Sequence, residues 1–212
     1  MGHAVERLIF TSPRVCFRRV ARLHREGIPA GFLSTLGETF LSRLYQGIAG
    51  SGYGAVQITR GSNAEITGFI ATALDTRLVY RDVLARCATG LTLCALPRLV
   101  HPRVVAKSFE TLRYGLCHKG SEPSGKGAPP PRAELLAVAV DSKELRKGVA
   151  RVLVGAHEAL LRENGIMRYR VVTTAGDDTP AAALYRACGL TVARRIRHHG
   201  RLLDEYLGCL TP

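Results

Sequence analysis

Apolar residues fall along this chain in two periods, short dense runs and helical stripes, and the two mark out its elements. "VERLIF" (Val5 to Phe10) predicts a strand. Pro13 suits the first turn of a helix running through about Glu26, with Gly27 at its end. In "GFLSTLGETFLSRLYQGIAG", Phe32, Leu36, Phe40, Leu44 and Ile48 recur at helical spacing and predict one second helix, broken by the glycines that follow. "YGAVQITR" and "AEITGFIATALDT", separated by "GSN", predict a hairpin. From Arg77 to about Leu116 two helices are expected, interrupted around Pro97 and Pro102, where proline breaks the hydrogen-bond ladder; "HKGSEPSGKGAPPPR" follows as a loop.

Beyond that loop the elements alternate. "AELLAVAV" (Ala133 to Val140) is a strand, "GVARVLVGAHEALLREN" an amphipathic helix stopped at Gly165, and "MRYRVVTTA" another strand. "TPAAALYRACGL" is a short helix with Pro180 near its start and Gly189 past its end; "TVARRIRHHGRLLDEYLGCL" reads as a hairpin turning near His199 and Gly200. Strands alternating with helices predict an α/β fold around a mixed sheet with at least one parallel pair. The second half depends on a partner sheet, so a single domain over residues 1–212 is expected.

Composition narrows the function. With 212 residues, 46% of them hydrophobic, the chain can bury a real core. Its apolar runs fall short of the roughly 20 residues that cross a bilayer, and its start lacks the apolar middle of a secretory signal, so a cytoplasmic location is expected. Six cysteines without CxxC pairing and seven histidines without ligand spacing predict reduced thiols and no metal site. The charge changes the picture more: 30 Lys and Arg against 17 Asp and Glu give +13 and call for an anionic partner. Nucleic acid is the weaker fit, because the basic residues are spread along the chain and no zinc finger or RNP-like strand is present. An Arg-rich solvated surface explains part of the excess; a phosphorylated cofactor or substrate is the third source.

Motif spacing tests that third source. In "KELRKGVARVLVGAHEALL" a strand leads through a short basic loop with Gly148 into a helix whose first N–H groups are unpaired, at the positive end of its dipole. That is an anion site, and a pyrophosphate fits it. In "DDTPAAALYRACGL", Asp178, Ala181, Tyr185 and Gly189 follow the next strand. Together these segments resemble the GCN5-related N-acetyltransferase (GNAT) superfamily, in which a Q/R-x-x-G-x-G/A loop binds the coenzyme A pyrophosphate and an N-x-x-A-x-x-x-Y-x-x-x-G-F element follows. Leu145 stands where Gln or Arg is usual, Asp178 replaces Asn and Leu190 replaces Phe.

The resemblance implies a mixed, mostly antiparallel sheet flanked by helices, with residues 77–131 as an enlarged connection. It implies acetyl-CoA as donor, held by Leu145, Arg146, Lys147, Gly148, Val149 and Ala150 at the phosphates, by the backbone of Val138, Ala139 and Val140 along the pantetheine arm, and by Asp178 and Tyr185. Tyr185 would protonate the leaving thiolate and Glu134 would take the amine's proton; Phe32, Leu33 and Ser34 would line the acceptor pocket. The expected activity is transfer of an acetyl group to a primary amine of a small molecule such as an amino sugar, an anionic acceptor suiting the cationic chain. A coenzyme A binding module without catalysis, supported by Leu145 and Asp178, and a basic nucleic-acid binder are the alternatives. A free sheet edge permits a homodimer.

Overall fold

The computed structural model describes residues 4–29, 31–86, 130–198 and 201–211. Of the two helices expected from Arg77 to about Leu116 the described residues reach only to 86; the rest, the loop up to 129 and the turn at His199 and Gly200 lie outside them. The elements are β1 (Val5–Leu8), α1 (Arg14–Gly27), α2 (Phe32–Thr35), α3 (Glu38–Gly50), β2 (Gly54–Arg60), β3 (Ile66–Ala73) and α4 (76–86). After the connection come β4 (Glu134–Val140), a 3-10 turn at Ser142–Glu144, α5 (Val149–Glu163), β5 (Arg168–Thr174), α6 (Pro180–Ala187), β6 (Thr191–His198) and β7 (Arg201–Cys209).

Two expectations need correction. The strand from Val5 stops at Leu8, because Ile9 turns: its N–H reaches the Ser12 hydroxyl at 3.0 Å and its carbonyl accepts from the Ser12 N–H at 2.9 Å. The second helix is two helices. Gly37, at φ +88°, adopts a left-handed conformation that an α-helix cannot contain, and α3 restarts with Glu38 in its first turn, where a carboxylate suits the dipole. The apolar period runs through the break because Leu36, at the end of α2, is buried.

The seven strands form one sheet in the order β1-β2-β3-β4-β5-β7-β6, antiparallel throughout except for β4 beside β5. Each face carries its own core. On one, α1 supplies Phe17, Val20, Ala21 and Leu23, and α3 supplies Leu41, Leu44, Tyr45 and Ile48, against Val56, Ile58, Phe69, Ala137 and Ala139 of the sheet. On the other, Val149, Leu153, Val154 and Leu161 of α5 and Ala182 and Tyr185 of α6 pack on Ile70, Leu135, Tyr169, Val171 and Tyr206. Alternate side chains of a strand point to opposite faces, so the near-continuous apolar runs of β2, β3 and β4 reflect burial on both sides.

Each core also encloses a histidine. His24 lies with Nδ1 2.5 Å from the Tyr45 hydroxyl, and His157 with Nδ1 2.7 Å from the Thr72 hydroxyl; among the described residues Nε2 of each is buried without a partner. Burial pulls their pKa values from 6.5 down to about 4 and about 3. Both rings are therefore neutral in the fold, while the unfolded chain takes up two protons below pH 6.5. Stability is complete above that pH and falls as pH drops through the window from 6.5 to about 4, at about 1.4 kcal/mol per unit for each ring. Urea unfolding at pH 5 is expected to give a stability roughly 3 to 4 kcal/mol below that at pH 7. His157→Asn, which removes one titrating ring, should halve that pH slope whatever it does to absolute stability.

Candidate active site

The site begins with one extra residue in β4. Ala71 of β3 faces Ala137, but Thr72 faces Leu135, so Leu136 is a bulge. Its effect is visible in the side chains: Leu135 enters the α5 side of the sheet, Leu136 and Ala137 both pack on the α1 side, and Val138 and Val140 return to the α5 side. The bend parts β4 from β5. Their parallel register holds only Glu134 opposite Arg170 and Leu135 opposite Val171, after which the strands diverge.

The divergence leaves backbone groups of β4 facing a gap. Asp141 donates its N–H to the Thr67 carbonyl at 2.7 Å, so the alternation of an antiparallel ladder turns the N–H and C=O groups of Val140 and Val138 away from β3, towards the gap. Ala139 instead bonds β3 and packs its side chain on the α1 side, where a Cβ on Gly27 would meet it at 2.8 Å. Of the three strand residues expected at the pantetheine arm, the ladder thus directs the backbone of Val138 and Val140 into the gap and that of Ala139 out of it.

Beyond Val140 the chain turns into the start of α5. Asp141 caps the 3-10 turn by accepting the Lys143 N–H at 2.9 Å and is bound by the Arg19 guanidinium, whose Nε also reaches the Ile66 carbonyl at 3.1 Å. The Lys143 N–H, and after it Arg19, hold the Asp141 carboxyl below the usual range. Arg146 and Gly148 have φ of +63° and +82°, and alternation of left-handed and extended or helical residues turns successive N–H groups to one side. The first hydrogen bond of α5 runs from the Val152 N–H to the Gly148 carbonyl, which leaves the N–H groups of Val149, Ala150 and Arg151 without an intrahelical acceptor. No side chain caps this helix. Leu145 is 58% exposed, Arg146 is exposed, and Lys147 pairs with Glu144 at 3.1 Å.

Tyr185 lies on α6, whose start is fixed by Pro180 and by the Thr179 hydroxyl accepting the Ala182 N–H at 3.1 Å. It is buried in the cluster that contains Val149 and receives Val138 and Val140, with its ring 5.5 Å from that of Tyr206. Burial, and then Cys188 and Tyr206, push its pKa up, so the hydroxyl keeps its proton at neutral pH. Glu134 occupies the opposite face. Its Oε2 accepts from Arg170 at 2.7 and 3.1 Å and from Thr76 at 3.2 Å, an ion pair in which the Arg170 side chain is 4% exposed. Phe32, Leu33 and Ser34, half-buried in α2, lie on this same face, Leu33 packing on the α1 core and Ser34 donating to the Ile28 carbonyl at 2.6 Å. Asp178 is exposed and makes no hydrogen bond among the described residues. Gap backbone, the loop at Gly148 and Tyr185 are thus brought together, Glu134 and α2 face them from across the sheet, and Asp178 joins neither group.

Sequence reasoning passed over several residues here. Asp141 could have been found, since an Asp followed two residues later by its own N–H partner is a common turn signal; its tie to Arg19 spans 122 positions and had no local sign. The buried carboxylates of Asp204 and Glu205 bind Arg195 at 2.6 Å and Arg194 at 3.0 Å, and Asp204 also accepts the Gly176 N–H at 3.2 Å, holding the loop before α6. The Tyr206 hydroxyl is buried beside Tyr185 without a partner among the described residues.

Comparison with known proteins meets this geometry. Residues 110–190 match the family model described as Acetyltransferase (GNAT) family. The fold is the GNAT acetyltransferase fold. Ard1 from Thermoplasma volcanium superposes with a TM-score of 0.59 at 12% identity, covering 100% of both chains. Aminoglycoside 6'-acetyltransferase type Ii gives 0.59 at 11% identity, over 99% of this chain and 98% of the other. A histone acetyltransferase HPA2 and related acetyltransferase from Corynebacterium glutamicum gives 0.55 at 15%, over 100% and 98%. No curated protein matches the sequence. The resemblance read from Gly148, Ala150 and Tyr185 is borne out by the match of residues 110–190 to the GNAT family model and by the shared fold. Among the described residues no helix is long and apolar enough to cross a membrane, no metal-holding cluster occurs, and Cys16, Cys188 and Cys209 are free thiols.

The Glu134–Arg170 pair pins β4 to β5 at the point where they part. Two nitrogens of a side chain that is 4% exposed donate to Glu134, so Glu134→Gln, which removes this charge-assisted contact, is expected to lower stability by about 2 kcal/mol in urea unfolding at pH 7.

Proposed function

We propose that this GNAT-fold protein is an N-acetyltransferase that takes an acetyl group from acetyl-CoA and gives it to a primary amine of a small molecule such as an amino sugar, by direct attack in a ternary complex. The observation that carries the reading is the pairing of a strand gap with an anion loop: β4 parts from β5 after Leu135, and the chain leaving the gap runs straight into the uncapped start of α5 at Gly148. Acetyl-CoA supplies a thioester whose carbonyl carbon an amine attacks. Its diphosphate suits the free N–H groups of Val149 and Ala150, with Arg146, Lys147 and the exposed Leu145 around them, and its amide-bearing arm suits the strand-like groups of Val138 and Val140.

The two faces then take different roles. Tyr185, on the α6 side, holds a proton for the departing sulfur, and burial keeps that proton in place. The amine enters from the α1 side, past Phe32, Leu33 and Ser34, towards Glu134. Arg170 and Thr76 occupy Oε2 of that carboxylate, so proton acceptance falls to Oε1, directly or through a water. On this reading the amine adds to the thioester carbonyl from one side of the sheet while the thiolate expelled from the tetrahedral adduct takes its proton on the other. Asp178, exposed as it is, would meet the cofactor only at its periphery. The cationic surface favours an acceptor bearing negative charge.

Calorimetry with acetyl-CoA is expected to show binding that Gly148→Asp abolishes, through a carboxylate set beside the diphosphate and a side chain at φ +82°. Equal affinity in that variant would remove the phosphate loop from the reading. With an acceptor taken from a panel of amines that includes glucosamine, single turnovers of Tyr185→Phe at saturating acetyl-CoA should slow by roughly 10²–10⁴-fold with cofactor affinity kept. Binding without turnover across the panel would instead favour a coenzyme A module that has lost catalysis.

A further inference from the structure

Of the 30 basic residues, 25 are arginines, and α1 gathers a set of them on one face. Arg14, Arg18, Arg22 and Arg25 stand four, four and three positions apart, which stacks them on successive turns. All four are exposed, whereas Cys16, Phe17, Val20, Ala21, Leu23 and His24 turn the other side of the helix into the core. Arg22 is bound to Glu38 at 3.1 Å, and among the described residues Arg14, Arg18 and Arg25 have no acidic partner. Arg19, on the inner side of the same helix, and Arg60, Arg132, Arg170, Arg194 and Arg195 on other elements are each paired with a carboxylate, while Arg146 and Arg151 lack an acidic partner among the described residues without forming such a stripe. The stripe has company. α3 runs back along α1, Glu38 meeting Arg22 and Gln46 meeting the Phe10 carbonyl, and exposed Arg43 lies on the stretch between.

We infer that the outer face of α1 is a docking surface for the phosphate backbone of a nucleic-acid strand. A rise of 1.5 Å per residue spaces the guanidinium groups by roughly 6 Å along a line of roughly 16 Å. A polyanion with regularly repeated charge is the partner such a line complements, and about two 3.4 Å steps of a nucleic-acid strand come close to one turn of it. The residue type points the same way, because guanidinium groups fork onto phosphate oxygens where lysines act only as point charges. A lipid surface fits less well: the apolar half of α1 is committed to the core, which leaves Val15 as the one large apolar residue this face exposes. A folded acidic protein lacks the regular repeat. At its far end the stripe reaches a hollow lined by Arg22, Arg25, Glu26, Pro29 and Ser34, beside the face on which the acceptor is proposed to enter. A nucleic-acid strand held along α1 would therefore lead to the acceptor side, although the docking itself is independent of acetyl transfer.

The experiment is fluorescence anisotropy with a labelled 24-nucleotide RNA of mixed sequence, titrated with the full chain between 50 and 300 mM salt. The wild type is expected to bind with a steep negative slope of log K against log salt. In the triple variant Arg14→Ala, Arg18→Ala, Arg25→Ala, affinity at 100 mM salt should fall by on the order of 10-fold or more, and the slope should flatten by about 2, as three lost contacts to a single strand require. The comparison protein carries Arg77→Ala, Arg81→Ala and Arg132→Ala, three exposed arginines away from α1, and has the same net charge. It should bind as the wild type does. Equal weakening of both triples would show a general charge effect and overturn the assignment, as would absence of salt-dependent binding in the wild type. Tighter binding to polyglutamate, or to vesicles of anionic lipid, would overturn it in favour of an acidic protein or a membrane. Circular dichroism and acetyl-CoA affinity check that the triple variant is folded, and a loss of acetyl-CoA binding in the wild type would count against the transferase reading without touching this one.

Discussion

The rest of the candidate site depends on Leu136 being one residue too many. A strand with a bulge twists more than its neighbours and cannot keep its register on both sides. β4 resolves the conflict in favour of β3, to which it stays bonded out to Asp141, and gives up β5 after two residues. In the middle of a sheet buried on both faces, unpaired backbone groups are costly, and a protein keeps them only where something else meets them. The same bulge hands consecutive side chains to one core and so decides which residues face the α1 side and which face α5.

A gap of this kind needs its two ends held. At the closed end, Glu134 and Arg170 lie across the last paired residues and exchange a buried charge-assisted contact. At the open end, Asp141 receives Arg19 from α1 and caps the turn that leads to Gly148, which ties the first core, the end of β4 and the loop before α5 together. Ion pairs of these two sorts contribute little net stability after desolvation, but they fix geometry that apolar packing alone would leave free to slide.

Much of this architecture was readable before any coordinates. The helix stripes of α1 and α5, the hairpin β2–β3, Pro180 and Gly189 flanking α6, and the basic glycine loop before α5 each carry a local signal that physical rules convert into structure. The break at Gly37 was not readable, because a buried Leu36 keeps the apolar period intact through it. Long-range register was not readable either: nothing near Leu136 announces a bulge, since its cause is the mismatch with Ala71 and Thr72 some 60 positions earlier. The candidate site residues divide in the same way. Gly148 and Tyr185 sit in spaced motifs, whereas the engagement of Glu134 by Arg170, the exposure of Asp178 and the outward turn of Ala139 are properties of packing. The arginines of α1 appeared scattered in the linear chain; only the helix aligns four of them.

At the far side of the sheet β6 is the last of the described strands, and its outward edge carries Arg194, Arg195 and Arg197 within four residues. Asp204 and Glu205 neutralise the first two from within, yet their guanidinium groups remain half-exposed at 42% and 51%. Among the described residues no strand pairs with the outer side of β6, and its cationic side chains, Arg197 above all, guard that side against an approaching strand. Concentrated salt, by shortening the reach of those charges to a few ångströms, lowers the guard, so the conditions usually chosen to keep a basic protein in solution are the ones under which this edge is most exposed to a second molecule.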